Sequence, residues 1–259
     1  MLREERLQKI LTILKERRYE SVRNLAKVLN VPEITVRRDL EYLEKLRKIK
    51  RIRGGATVEG EFLLEEHPFE RKIVENIEAK KKIAQEAFKL IERHDVIFLD
   101  AGTTTYEIAE LIFTLFDAPL TVFTNSLQVI CKLHSKENIE LFVIGNKLRH
   151  ITGAFIFKNY DLNFLEGFHI FKAFIAANGF DDRFIYTPSD DEAFLKRRMI
   201  EISEVPILVA DSSKAGKTAT WKIAPITSFK YAIFDSLNQY VKEFQKSGVT
   251  VIVHDQQST

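Results

Sequence analysis

Apolar residues recur along this chain first at helical spacing and later in short runs, and the change of period divides it into two parts. Leu7, Ile10, Leu11 and Leu14 line one face, which predicts a helix from Arg3 to Arg17. Ser21 offers an N-cap for a short second helix with Val22, Leu25, Ala26 and Leu29 inside, and Asn30-Val31-Pro32 ends it. Ile34, Leu40, Leu43 and Leu46 then place a third helix with those four residues inward. Beyond it, Lys48, Lys50, Arg51 and Arg53 are interleaved with Ile49 and Ile52, and Gly54-Gly55 follows: the pattern of a β-hairpin wing. From residue 78 onward, apolar runs alternate with amphipathic stretches. Predicted strands are 96–99, 120–123, 140–144, 170–176, 206–210, 231–234 and 249–253; predicted helices are 79–92, 104–115, 126–133, 190–202 and 237–246. Such alternation predicts an α/β domain with a mostly parallel sheet. The expected organisation is a winged helix-turn-helix over 1–57, a linker over 58–77 and the α/β domain over 78–259.

Charge sharpens this division. The chain of 259 residues has a formal net charge of only +2, yet residues 1–57 carry 16 basic and 8 acidic side chains. A basic head on an acidic body points to a polyanion as the head's partner. In a helix-turn-helix the last helix lies in the major groove, with its N-terminal residues against base edges. Thr35, Arg37 and Arg38 occupy that position. Arg can grip guanine O6 and N7 with two hydrogen bonds, and Thr offers a hydroxyl or a methyl. The wing residues Lys48, Lys50, Arg51 and Arg53 suit phosphate contact, which adds affinity and salt dependence. Ser21 completes the expected DNA-binding set. The competing reading is a three-helix bundle that binds a protein.

In the second part, the segments that follow predicted strands are the places to look, because open α/β sheets bind ligands beyond the carboxyl ends of their strands. After the first strand comes Asp100-Ala101-Gly102-Thr103-Thr104-Thr105, then a helix: backbone freedom, hydroxyls and a helix N-terminus, which together can cradle a phosphate. A Thr-rich helix cap with no ligand is the plainer reading. Further polar exits are Thr124-Asn125-Ser126, Gly145-Asn146-Lys147, Asn178-Gly179 and Asp211-Ser212-Ser213-Lys214-Ala215-Gly216, in which Lys214 is the best candidate to pair with a phosphate. Asp181-Asp182 and Asp190-Asp191 read as turn and cap acids. The six histidines have no metal-ligand spacing, and Cys131 has no partner cysteine, so neither metal, cofactor nor disulfide is expected. The charged N-terminus and the lack of a membrane-length apolar run predict a cytoplasmic protein with no membrane partner.

Val31-Pro32-Glu33-Ile34-Thr35-Val36-Arg37-Arg38-Asp39-Leu40, followed by Leu43-Glu44 and Arg51-Ile52-Arg53-Gly54-Gly55-Ala56, resembles the DeoR family of bacterial transcription regulators. Asp100-Ala101-Gly102-Thr103-Thr104, Thr124-Asn125-Ser126, Lys196-Arg197-Arg198-Met199-Ile200 and Asp211-Ser212-Ser213-Lys214 extend the resemblance over nearly the whole chain. It implies a C-terminal domain similar in fold to ribose-5-phosphate isomerase that senses phosphorylated sugars. It further implies that Asp100, Gly102, Thr103, Thr104, Asn125, Asn178, Gly179, Lys196 and Lys214 line the pocket; Thr105 and Gly145 join them from the strand exits. The chain departs from the family at Pro32, where Ser is usual, at Gly145-Asn146 in place of two glycines, and at Phe234-Asp235 in place of Thr-Asp. A glycine is also absent before Thr187. The function expected is a sugar-controlled repressor that binds a double-stranded DNA operator as a homodimer or homotetramer. The alternative is an isomerase-like enzyme with a DNA-binding head, for which Asp100 or Asp181 would be the base.

Overall fold

The computed structural model describes residues 3–17, 19–46, 48–52, 54–57, 66–157 and 167–254. It resolves into two units, Met1–Leu63 and Leu64–Thr259.

The first unit contains helices α1 (Arg3–Arg17), α2 (Val22–Leu29) and α3 (Glu33–Lys45), with three short strands, β1 (Tyr19–Ser21), β2 (Lys50–Ile52) and β3 (Gly55–Thr57). Ser21 caps α2 by accepting a hydrogen bond from the Asn24 N–H at 3.1 Å, and Asn30 ends the helix in the left-handed region. The wing is present, with Gly54 at φ +87° in its turn, a conformation that favours glycine. Sequence periodicity missed β1, whose pairing with β3 makes the wing three-stranded, in the order β1-β3-β2. The core is Ile10, Leu14, Leu25, Val36, Leu40, Leu43 and Ile49, with their neighbours. Two inward assignments fail: Ile34 is 58% exposed and Leu46 48%. The buried face of α3 is instead Val36, Asp39, Leu40 and Leu43, the i, i+3, i+4, i+7 stripe.

The second unit is built on a seven-stranded sheet in the order β15-β14-β12-β9-β4-β5-β6, every pairing parallel. These strands are β4 (Val96–Leu99), β5 (Leu120–Thr124), β6 (Ile139–Val143), β9 (Ile170–Ala176), β12 (Ser203–Val209), β14 (Tyr231–Phe234) and β15 (Thr250–Val253). Ile97 and Leu99 pack on one face under helices α5 (Ile77–Phe88), α6 (Thr103–Leu115) and α7 (Leu127–Leu133). Phe98 and Phe123 pack on the other face, under α8 (Asp190–Ile202) and α9 (Gln239–Lys246). Coverage on both faces is why these strands read as continuous apolar runs.

Three features escaped the sequence reading. A hairpin joins β7 (Lys147–Arg149) to β8 (Ala154–Ile156), and a small antiparallel sheet joins β10 (Gly179–Phe180), β11 (Phe184–Thr187) and β13 (Trp221–Pro225). The third corrects the linker: residues 66–76 belong to the larger unit and hold a six-residue helix, α4 (Phe69–Val74). Chain order reverses between β4 and β9. From β4 the sheet grows outward through β5 and β6, and from β9 it grows the other way through β12. Crevices at such a switch point are where open α/β sheets take their ligands.

Candidate functional site

On the first unit, α3 is held by a buried charge. Asp39 is 2% exposed and accepts hydrogen bonds from the Arg6 guanidinium on α1, with Arg3 at 3.7 Å. Pro32 occupies the N-cap without a side-chain bond, as the missing serine implied. The opposite face presents Ile34, Arg37 and Arg38 to solvent, with Thr35 half-buried beside them. Arg38 has no partner among the described residues. Arg37 meets Glu33 at 3.5 Å in an exposed pair, worth at most about 1 kcal/mol and easily surrendered. Ile34 was missed as a surface residue; its exposure beside two arginines is what a thymine-methyl contact requires. On the wing, the Arg51 guanidinium bonds Glu41 at 3.0 Å, and Lys48 is exposed. The hydroxyl of Ser21 is already engaged as the α2 cap. Arg53 and the side chain of Lys50 lie outside the described residues.

In the second unit, the strand exits converge at the switch point. Asp100 follows β4 and is fully buried. Its Oδ2 accepts from the Ala176 N–H at 2.9 Å and from the Lys196 ammonium. Lys196 also donates to the Ala176 carbonyl at 3.0 Å. Burial pushes the Asp100 carboxyl above the usual carboxylate range, and Lys196 opposes that shift. Oδ1 of Asp100 is buried with no hydrogen-bond partner among the described residues. Lys196 is 3% exposed. Its ammonium therefore neither sits in water, as a snorkelling lysine's would, nor stands free for a ligand: it neutralises Asp100.

Gly102 is where α6 meets β9. A Cβ there would lie 2.5 Å from the Ala176 Cβ, so only glycine allows this approach. Gly102 caps α6 without a side-chain bond, which leaves the helix's first N–H groups without a capping side chain. The hydroxyls of Thr103 and Thr104 make no hydrogen bond among the described residues. Thr105 does not belong with them. Its hydroxyl proton is shared between the carbonyls of Asp100 at 2.6 Å and Gly102 at 2.8 Å, so it folds the loop and has no proton left to donate. Asn125 is also a loop-builder: Oδ1 accepts from the Ala101 N–H at 2.9 Å and Nδ2 donates to the Phe155 carbonyl at 3.2 Å. Gly145, at φ +111°, lets the backbone approach Phe155, where a Cβ would be 2.8 Å away. Gly179 pairs with Tyr186 in the small sheet, and the half-buried Asn178 donates its N–H to the Tyr186 carbonyl at 3.0 Å. Lys214 closes a turn of 3-10 helix, Ser212–Lys214, that Asp235 pins through the Ser212 N–H and hydroxyl. Lys214 is half-buried with no partner among the described residues.

Five residues around these exits were not singled out from sequence. Arg149 is bidentate to Glu66 at 2.6 Å and also bonds Glu192, which accepts from the Thr152 hydroxyl at 2.8 Å. Burial works against the Arg149 charge, but Glu66 and Glu192 overcome it and hold the guanidinium above its ordinary pKa. Lys80, 2% exposed, donates to the carbonyls of Lys72 and Ile73. Burial brings its pKa down to about 8. A signal for Lys80 and Glu192 existed. Lys80 shares the buried stripe of Ile83, Ala84 and Ala87, and Glu192 that of Leu195, Lys196 and Met199. A charge on an apolar stripe is costly unless something pairs it. Among the described residues no cluster of His, Cys, Asp and Glu could hold a metal, and no helix is long and apolar enough to cross a membrane.

Comparison with known proteins follows the two units. A family model described as the DeoR-like helix-turn-helix domain matches residues 6–61, and one described as the DeoR C terminal sensor domain matches 75–236. An uncharacterised HTH-type transcriptional regulator of Bacillus subtilis, YulB, is 40% identical over 91% of this chain and 90% of its own length. The lactose phosphotransferase system repressor of Streptococcus mutans is 35% identical over 88% of this chain and 91% of its own. Among solved structures, ribose 5-phosphate isomerase A of Methanocaldococcus jannaschii aligns with a TM-score of 0.40 at 20% identity, over 54% of this chain and 55% of that one.

Proposed function

Since the chain belongs to the DeoR family of helix-turn-helix transcriptional regulators, we propose that it is a repressor of sugar-metabolism genes whose effector is a phosphorylated sugar held at the β4/β9 switch point. The observation that carries this reading is the pair of cations left over there. Lys214 and Lys72 are half-buried ammonium groups without a partner among the described residues, and they stand beside exits where the α6 N-terminus has no side-chain cap and the hydroxyls of Thr103 and Thr104 have no partner among the described residues either. Unpaired charge that has lost part of its water is costly, and a phosphate dianion would relieve it. Asp100 and Asn178 then suit the sugar hydroxyls, with Oδ1 of Asp100 as the spare acceptor.

The first unit reads the operator. Arg37 and Arg38 contact base edges, Ile34 and Thr35 supply apolar and hydroxyl contacts, and Lys48, Lys50, Arg51 and Arg53 meet phosphates. Two copies of so short a recognition helix are needed for specificity, so a homodimer or homotetramer is the working form, in the cytoplasm. No catalytic role is assigned. Asp181, one candidate base, is committed to the β10–β11 turn, accepting from the N–H groups of Arg183 and Phe184 at 2.8 and 2.7 Å. Asp100 is neutralised by Lys196.

The DNA half is tested by selecting an operator from random duplexes with the parent and measuring anisotropy against it. Arg37→Ala and Arg38→Ala should each cost about 1–3 kcal/mol on the operator and little on random DNA, whereas Arg51→Ala should weaken both and flatten the salt dependence. Unchanged operator preference in both α3 variants would refute the assignment of α3 as the reading helix.

A further inference from the structure

Helix α3 carries four acids, and three of them hold the fold of the first unit. Asp39 is spent on Arg6 of α1. Arg51 of β2 donates its guanidinium to Glu41 at 3.0 Å and its backbone N–H to Glu44 at 2.9 Å, so these two acids hold the wing. Glu33 is different. It stands in the first turn, off the buried stripe, and its partner is Arg37, one turn further along. Its Oε2 lies 3.5 Å from Arg37 Nη2, and both side chains are about half exposed. An acid at the end of a helix that enters the groove repels phosphate, in a unit that is otherwise basic.

Ile34 and Arg38 form a second exposed column, one residue round the helix from Glu33 and Arg37. The Glu33–Arg37 column offers a carboxylate acceptor next to a fork of donors. In the major groove a C·G pair offers the reverse: the N4 amino donor of cytosine beside the O6 and N7 acceptors of guanine. A guanidinium has five N–H groups, so two can go to guanine while another still faces Glu33. The carboxylate has lone pairs enough for both Arg37 and cytosine. An A·T pair also has one amino donor, but it stands between two acceptors and leaves the fork no adjacent pair to grip.

We infer that Glu33 is a specificity-determining residue of the reading helix and that, with Arg37, it reads one C·G pair of the operator. Glu33 accepts from cytosine N4, and Arg37 donates to guanine O6 and N7. This rests on the reading of α3 as the groove helix, and it adds the acid and the base that the acid selects. The exposed pair keeps the two groups together before DNA arrives and is weak enough for base edges to rearrange. Repulsion from phosphate acts on every sequence, whereas the cytosine bond forms on one, so Glu33 raises discrimination rather than affinity.

The test selects operators from random duplexes with the full chain as parent, Glu33→Ala, Glu33→Asp and Arg37→Ala, and reads the base preference at every position. The parent should require C·G at one position that Glu33→Ala and Arg37→Ala both relax, each cutting the preference about tenfold. The double variant should relax it no further than Arg37→Ala does. Glu33→Ala should bind random DNA at least as tightly as the parent, because a charge that repels phosphate is gone. Glu33→Asp keeps the negative charge at the start of α3 but draws the carboxylate back by one methylene, so it should lose the preference as alanine does. Parent-like selection by Glu33→Asp, together with weaker binding of all DNA by Glu33→Ala, would overturn the inference, since an acid that merely steadies the helix start behaves so. Unchanged preference in Glu33→Ala, or relaxation at a different base pair from Arg37→Ala, would overturn it as well. If Arg37→Ala and Arg38→Ala also select like the parent, the reading helix falls and this inference with it; if only the Glu33 variants do, the reading helix stands.

Discussion

Replacing Lys196 by Met lowers the stability of the sensor unit by about 3–5 kcal/mol at neutral pH, because Asp100 is left as an uncompensated charge at 0% exposure. Mutating a surface pair would not do this; the cost comes from the carboxylate that stays behind. Its pH dependence is the distinguishing mark. The Asp100 carboxyl is raised by burial even with Lys196 present, and without that cation it rises further. A carboxyl raised in the folded state binds its proton more tightly than in the unfolded chain. The penalty is therefore full above the folded pKa and fades as pH falls through it. Urea unfolding should show a larger gap between parent and Lys196→Met near about pH 8 than near about pH 5. The double variant Asp100→Asn with Lys196→Met should recover part of the loss, as removal of both charges does elsewhere. A gap that is constant with pH would mean the pair is not the source.

The second large effect is at Arg149. It joins the segment 66–76, through Glu66, to α8, through Glu192, and each acid loses its cation when Arg149→Met is made. Exposures of 19% for Arg149 and 17% for Glu66 allow water to share the burden, so the expected cost is roughly 2–3 kcal/mol, below the fully buried case. The loss should be local. Limited proteolysis and hydrogen exchange should show opening at residues 66–76, while amides of β4 and β9 in the sheet centre keep their protection. Uniform loss of protection across the sheet would contradict a segment 66–76 that opens by itself.

Most of the architecture was legible because its elements repeat a period. The parallel strands are buried on both faces and so stand out as apolar runs, and each of the seven was located to within a few residues. What failed lacked a period. α4 is six residues long, with charges at Glu70, Arg71 and Lys72, so it has neither the length nor the stripe by which a helix is recognised. β1 has three residues, and the β7–β8 hairpin is two three-residue strands. Ile34 and Leu46 were placed inward because they are apolar, although the stripe through Val36, Leu40 and Leu43 leaves them outside. In the site, the motif residues themselves were easy to locate, but motif membership did not separate roles. Thr105 and Asn125 spend their polar atoms on the backbone, and Lys196 on Asp100, whereas the side chains of Thr103, Thr104 and Lys214 have no partner among the described residues. Only partners distinguish the two groups, and Lys72 could not have been found without the placement of α4.

The central claim is that a phosphorylated sugar occupies the β4/β9 exits and that Lys214 holds its phosphate. Isothermal titration of the full chain and of Lys214→Ala against a panel of pentose and hexose phosphates, with the unphosphorylated sugars alongside, tests it directly. At least one sugar phosphate should bind the parent and its parent sugar should not. Lys214→Ala should lose that binding while it still folds and still binds the selected operator. A sugar that binds equally well without its phosphate, or an unchanged affinity in Lys214→Ala, would contradict the account.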